Sequence, residues 1–231
     1  MPVYWLSDDI ITFPNPESTD KEGLLAVGGD LSPKRLLMAY KMGIFPWYNP
    51  EEPILWWCPD PRLVLFPSEL KVAKSMRTYF NQKKMSITLD HDFEHVMRNC
   101  KDHVRKSQEG STWITEEIID AYKKLHEMGY AHSVEVWQHG EIVAGIYGIT
   151  IGKCFFGESM YSKVSNASKF GMISLTRLLG QRGFHFIDCQ VYTSHLASLG
   201  ARNIRRSEFL DILKRNEREK TDISSWKDWE H

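Results

Sequence analysis

Residues 131–160 constrain the fold most. They read AHSVEVWQHGEIVAGIYGITIGKCFFGESM, three runs of β-branched, aromatic and small residues separated at HG and IG. Such short Gly-containing connections join neighbouring antiparallel strands, so the stretch is expected to form a three-stranded meander. Its last strand carries FFGESMYS, residues 155–162, which sets Glu158 directly after two phenylalanines and a glycine. A charge in an apolar run is costly unless it is paired, hydrogen-bonded or open to a cleft. Something elsewhere in the chain, or outside it, must account for that carboxylate.

The segments around the meander alternate as in an α/β domain. LVLF reads as a strand, LKVAKSMRTYF as a helix, SITL as a strand and DFEHVMRNC as a second helix. A polar loop, KDHVRKSQEGS, leads to WITEEIIDAYKKLHEMG, where Thr115 caps a helix, Glu116 and Glu117 suit its N-terminus, Gly129 ends it, and Ile118, Tyr122 and Leu125 form a buried stripe. After the meander come a long helix over residues 167–180, the strand FHFIDCQ, a short helix in HLASLG and a last helix in SEFLDILKRN. Strand, helix, helix, three antiparallel strands, long helix, strand, helix is the order of the GNAT acyltransferase fold, here with one additional helix. The expected class is therefore α/β (α+β), a GNAT-like acyltransferase domain.

Ahead of that domain, GGDLSPKRLLMAYKMG is a helix with Ser32 as N-cap, Pro33 in the first turn and Gly43 as terminator. IFPWYNPEEPILWWCPDPR then holds five prolines and five large aromatics in nineteen residues. The prolines are expected to deny it regular structure and leave a loop packed by its own rings. The chain divides at that point into a small N-terminal lobe, residues 1–62, and a catalytic domain, residues 63–231. The tail after Glu217 is polar and is expected to be loosely ordered despite Trp226 and Trp229.

With 231 residues, 42% of them hydrophobic, the chain can bury one sizeable core and a smaller lobe. It shows neither a basic leader nor an apolar run of membrane-spanning length, and its four cysteines form no CxxC pair; reduced thiols, a cytoplasmic location and no metal are expected. A net charge of −1 leaves nucleic-acid binding to a local patch. Lys71, Lys74 and Arg77 step by three along a predicted helix, with Lys83 and Lys84 just beyond. They form either a phosphate-binding strip or a solvated face. Arg202, Arg205 and Arg206 make a second basic group.

Alternation in FHFIDCQ places Phe184, Phe186, Asp188 and Gln190 on one face, and the preceding helix returns this strand beside FFGESM. Glu158, Asp188 and Gln190 are thus candidates for one cleft. The alternative is that Asp188 caps a turn and Glu158 pairs with a surface lysine. The connection YSKVSNASK before the long helix has no glycine, so the usual backbone cradle for the CoA pyrophosphate is missing.

The words GGDLSP, LLMAY, GIFPWY, PILWWCPDPR, STWITEE, YAHSVEVW, GIYG, FFGESMYS, NASK, IDCQ and HLASLGA, in this order, resemble the leucyl/phenylalanyl-tRNA-protein transferase family. The resemblance implies a bacterial cytoplasmic enzyme that moves Leu or Phe, and also Met, from aminoacyl-tRNA to proteins beginning with Arg or Lys, marking them for degradation in the N-degron pathway. It implies no cofactor, because an aminoacyl ester is already activated. On that resemblance Asp188 would hold Gln190, whose side-chain oxygen faces the attacking amine, and Glu158 would face the acceptor's cation, a partner from outside the chain. Ile146, Phe155, Met172, Leu175, Leu179 and Ile187 would surround the aminoacyl side chain, although a helical stripe such as Met172, Leu175 and Leu179 also suits plain core. Trp47 and Trp113 would meet the terminal adenosine, and the basic strip would meet the tRNA backbone. Two other readings remain: an acyl-CoA N-acyltransferase of the same fold, and a noncatalytic reader of basic protein N-termini.

Overall fold

The computed structural model describes residues 3–103 and 112–229; most of the polar loop before Thr115, and Ser111 of STWITEE, lie outside them. The first part of the chain forms β1 (Tyr4–Leu6), β2 (Leu24–Gly28), α1 (Pro33–Lys41), β3 (Phe45–Pro46) and β4 (Leu55–Trp57). The four strands make one sheet in the order β1-β2-β4-β3. The aromatic, proline-rich segment is therefore not wholly irregular. β3 lies at the sheet edge, where the missing N–H of Pro46 costs no ladder bond, and β4 falls in a stretch free of proline. Ser32 caps α1 by accepting from the Arg35 N–H, and Gly43 takes the left-handed conformation just beyond it (φ 75°).

The remainder runs β5 (Arg62–Leu65), α2 (Lys74–Asn81), β6 (Ser86–Leu89), α3 (Phe93–Asp102), α4 (Glu116–Glu127), β7 (Ala131–Gln138), β8 (Glu141–Ile151), β9 (Cys154–Ser162), α5 (Ala167–Gln181), β10 (Phe186–Gln190), α6 (Ser194–Ser198), β11 (Arg202–Ile204) and α7 (Arg206–Asn216). A seven-stranded sheet has the order β11-β5-β10-β9-β8-β7-β6. The β7–β9 meander is antiparallel, as its turns require, with His139 and Gly140 both at positive φ between β7 and β8. β10 returns parallel to β9 after the α5 crossover. The class is mixed α/β, and no helix among the described residues is long and apolar enough to cross a membrane.

Strand alternation sorts the buried residues into two cores, one on each face of this sheet. Cys154, Phe156, Tyr147 and Phe186 pack with α1, α3, α4, α7 and the small sheet. Phe155, Ile146 and Ile187 pack with α5 and with Trp226 and Trp229. The tail after Glu217 thus departs from expectation. Trp226 is 0% exposed, stacks on His132 with ring centroids 4.2 Å apart, and donates its backbone N–H to Asp90 Oδ2 at 2.9 Å. Two aromatic rings supply the apolar burial that the polar residues around them lack.

Candidate active site

β9 and β10 pair only over Phe186↔Cys154, Ile187↔Phe155 and Asp188↔Phe156. Beyond that point each strand carries a register shift. On β9, Tyr147 of β8 opposes Ser159 while Gly148 opposes Gly157, so Glu158 is the extra residue of a β-bulge. On β10, Asp188 opposes Val64 while Gln190 opposes Leu63, which leaves Cys189 as the extra residue and Gln190 at φ 62°. Bulges bend strands and re-aim side chains. Here the Glu158 and Gln190 side chains meet, Gln190 Nε2 donating to Glu158 Oε1 at 3.1 Å. Gly148 permits the β8–β9 approach, because a Cβ there would stand 2.2 Å from the Phe156 carbonyl oxygen.

Simple alternation thus does not bring Asp188 and Gln190 together. Asp188 holds Gln190 through the main chain, its Oδ1 accepting the Gln190 N–H at 2.9 Å. Asp188 itself, 0% exposed, is gripped by Arg62, whose Nε donates to Oδ1 at 2.8 Å and whose Nη2 donates to Oδ2 at 2.6 Å. The guanidinium carbon sits 4.7 Å from the Phe45 ring centroid and 4.6 Å from that of Phe209. Burial would lower the Arg62 pKa, but the Asp188 carboxylate raises it above the ordinary value, so the guanidinium stays charged.

Glu158 is 9% exposed and has partners within the chain, contrary to the expectation that only a substrate would serve it. The Tyr122 hydroxyl hydrogen-bonds its Oε2 at 3.1 Å, and the Tyr40 and Tyr122 hydroxyls lie 2.5 Å apart. None of these partners carries a charge. Burial pushes the Glu158 carboxyl up to about 8, with the hydroxyls of Tyr40 and Tyr122 opposing only part of the rise. Arg62, a cation that acts on it from β5, spends its Nε and Nη2 on Asp188, while its Nη1 has no hydrogen-bond partner. At neutral pH the empty site therefore holds a mostly neutral Glu158.

These groups face a cleft with about 180 Å³ of space for water-sized molecules. Ile146, Phe155, Met172 and Ile187 line it, as do Phe45–Trp47, Trp113, Cys189 and Val191. Leu175 and Leu179 do not. Both are fully buried in the core between α5 and the sheet, since the α5 stripe turns away from the cleft after Met172. Trp47 stands 48% exposed, its carbonyl oxygen accepting the Trp57 Nε1–H at 2.6 Å.

Lys71, Lys74, Arg77, Lys83 and Lys84 are all exposed. Lys71 is not on the helix with Lys74 and Arg77: α2 begins at Lys74, and the Lys71 N–H bonds the Leu199 carbonyl instead. Lys83 and Lys84 line a shallow groove with Trp137 and His139. The second basic group is largely occupied, Arg202 by Glu69 at 2.8 Å and Arg206 by Thr19 and the Cys58 carbonyl. Sequence reasoning passed over Arg62, Tyr40 and Tyr122 as site residues. Tyr122 stood in an apolar helical stripe, and its ring does pack in the core; only its hydroxyl belongs to the site.

The chain is similar to known proteins over most of its length. A family profile described as leucyl/phenylalanyl-tRNA protein transferase matches residues 64–214, and the profile of that family's N-terminal domain matches residues 29–60. A leucyl/phenylalanyl-tRNA–protein transferase of Syntrophobacter fumaroxidans is 50% identical over 226 residues, covering 98% of this chain and 96% of that protein. One from Syntrophus aciditrophicus is 54% identical over 217 residues, covering 94% and 90%. Among solved structures, L-PGS from Bacillus licheniformis superposes with a TM-score of 0.41 at 12% identity over 75% of this chain and 57% of that one. A GCN5-related N-acetyltransferase from Kribbella flavida gives a TM-score of 0.36 at 10% identity over 74% and 60%.

Proposed function

The chain belongs to the leucyl/phenylalanyl-tRNA–protein transferase family and is an aminoacyltransferase acting from aminoacyl-tRNA onto proteins; from that premise we propose that it joins Leu, Phe or Met to the α-amino group of cytoplasmic proteins that begin with Arg or Lys, and so marks them for degradation. The contact between Glu158 and Gln190 at the facing bulges carries this reading. It sets a carboxyl for a side-chain cation beside an amide for an α-amine, at the end of an apolar cleft.

In the reaction the amine nitrogen bonds the ester carbonyl carbon, the bond to the tRNA's terminal ribose oxygen breaks, and that oxygen leaves with the proton the amine gives up. An α-amino group has a pKa of roughly 7.7 to 8.0, so a useful fraction is already nucleophilic near neutral pH and orientation is the main requirement. Gln190 gives its Nε2–H to Glu158, which leaves Oε1 free to accept from the attacking amine. Asp188 and Arg62 fix the Gln190 main chain from beneath. Ile146, Phe155, Met172 and Ile187 offer the apolar wall for the aminoacyl side chain, and Trp47 and Trp113 offer rings for the terminal adenosine. Lys74, Arg77, Lys83 and Lys84 serve the tRNA phosphates, with Lys71 close by.

Mixing the protein with tRNA charged with labelled leucine and an Arg-initiated peptide tests the reading directly. Label should pass to the peptide's N-terminus, and passage to a citrulline-initiated peptide should be much slower. Label that stays on tRNA, or equal transfer to both peptides, would overturn the assignment of donor or acceptor respectively.

A further inference from the structure

Glu158 is held differently from every requirement of a simple anionic pocket. Its carboxyl is met by hydroxyls and an amide, Tyr122 at Oε2 and Gln190 at Oε1, with Tyr40 behind Tyr122. The charged and titratable groups around it come from five elements: Tyr40 on α1, Tyr122 on α4, Tyr147 on β8, Arg62 on β5, and Asp188 on β10, with the Gln190 amide beside them. Among these only Arg62 is a permanent cation, and its bidentate grip on Asp188 offsets it locally; of the described residues His103 and Cys189 also line the cleft. Tyr40, Tyr122 and Tyr147 are each 0% exposed.

We propose that Tyr40 and Tyr122 are specificity-determining residues of the acceptor subsite: buried Glu158 is a neutral acid while the site is empty, and their linked hydroxyls turn to stabilise it as a carboxylate once a cationic side chain has displaced its proton. The proposal rests on the reading of Glu158 as the anchor of the acceptor's cation. Hydroxyl hydrogens rotate, so one arrangement of heavy atoms serves both states. With the acid neutral, Glu158 donates to Tyr122 and Tyr122 donates to Tyr40. With the acid ionised, Tyr40 donates to Tyr122 and Tyr122 donates to Glu158. The Tyr40–Tyr122 separation of 2.5 Å and the Tyr122–Glu158 separation of 3.1 Å suit either direction.

The consequence is a binding step coupled to proton release. A guanidinium or ammonium entering the cleft pairs with Glu158, and the carboxyl proton passes to the buffer. A neutral N-terminal side chain gains no ion pair and leaves that proton in place. Discrimination thus comes from a charge made only when its partner arrives, which spares the empty site a buried, unpaired anion. Tyr40 ties this to the N-terminal part of the chain: α1 reaches the acceptor subsite through a single hydroxyl.

The wild-type protein provides the first test. Calorimetric titrations with Arg-initiated and citrulline-initiated peptides, each in two buffers of different ionisation enthalpy, count the protons released. Any proton lost by the peptide's α-amine is common to both peptides and cancels. Near neutral pH the Arg peptide should release close to one proton more than the citrulline peptide, a difference that fades about one to two units above the Glu158 value. Equal release by two peptides that still differ in affinity overturns the coupling and leaves Glu158 as the anchor; absence of any difference in affinity overturns the anchor itself. Kinetics supply the second test. Tyr122→Phe should raise KM for the Arg peptide about tenfold more than KM for the citrulline peptide, with Tyr40→Phe smaller in the same direction. Equal rises in KM for the two peptides would show that the tyrosines only brace the fold, and would overturn their role in specificity.

Discussion

Asp90, just after β6, and Glu158, in the bulge of β9, are both buried acids on one sheet, 3% and 9% exposed. Burial raises the pKa of each. At Asp90 the His132 side chain and the backbone N–H groups of Ser133 and Trp226 outweigh that cost and hold the carboxyl below its ordinary value. At Glu158 two tyrosine hydroxyls oppose it without success, and the value climbs to about 8. The two sites differ less in solvent exposure than in whether the chain brings up a potential cation and backbone donors. Asp90 is completed by the fold and fastens the Trp226 segment to the sheet. Glu158 is completed only by something that enters the cleft. Asp188, with Arg62, stands with Asp90 as an acid the fold has completed, although it sits in the active site.

The sharpest way to break this contrast is to turn a completed acid into an incomplete one. Arg62→Met leaves Asp188 buried without its cation, a change that costs about 3 to 5 kcal/mol in comparable settings. In a chain of this size the thermal midpoint should fall on the order of 10 °C. A midpoint within a degree or two of wild type would mean that Arg62 does not complete Asp188.

Glu158→Gln should do the reverse. It removes an acid whose charged form the fold never satisfied, so stability holds or rises, while transfer to Arg- and Lys-initiated peptides drops. One charged contact is worth about 1.5 to 3 kcal/mol, roughly ten- to a hundredfold in kcat/KM, and a citrulline peptide should lose much less. Equal proportional losses for the two kinds of peptide would return Glu158 to a bracing role.

Much of this architecture was legible in the sequence because it is periodic or punctuated. The β7–β9 meander, the capped helices at Ser32 and Thr115, and the crossover helix α5 follow from alternation, helical spacing and turn residues. Glu158, Asp188 and Gln190 could be named because polar groups in apolar strands stand out. Their geometry could not, since a bulge is a one-residue slip that leaves composition unchanged, and two such slips aim Glu158 and Gln190 at each other. Arg62 was hidden at the end of a proline-rich run whose partner lies 126 residues away. The hold of Asp90 on the Trp226 N–H spans 136 residues, which is why a polar tail concealed a buried anchor.

Asp90→Asn sharpens the comparison from the structural side. It keeps the shape but removes the charge opposite His132, and should cost about 1 to 2 kcal/mol, read as a lower melting temperature with earlier exposure of Trp226 in fluorescence. Transfer to Arg and citrulline peptides should keep its ratio. A changed ratio would mean that the far edge of the sheet feeds into acceptor choice, and that the two acids are not independent.

The last effect is read as a slope with pH rather than as a single loss. In the unfolded chain a glutamate titrates near about 4.3, whereas folded Glu158 holds its proton to about 8. Between those values the folded chain binds more protons than the unfolded one, so the Glu158 contribution to stability is fully present at low pH and is lost as pH rises through the window. The loss is at most about 1.4 kcal/mol per pH unit. Asp90 has the opposite sign: its lowered value contributes stability above the ordinary carboxylate range and loses it as pH falls. Every other titrating group is common to wild type and Glu158→Gln, so subtracting their denaturation free energies isolates the one residue. The Gln variant should gain on wild type steadily from about pH 5 to about pH 8 and keep a constant lead beyond. Two parallel curves across that range would mean that Glu158 is already ionised in the empty site, and the distinction between an acid completed by the fold and one awaiting its substrate would fall.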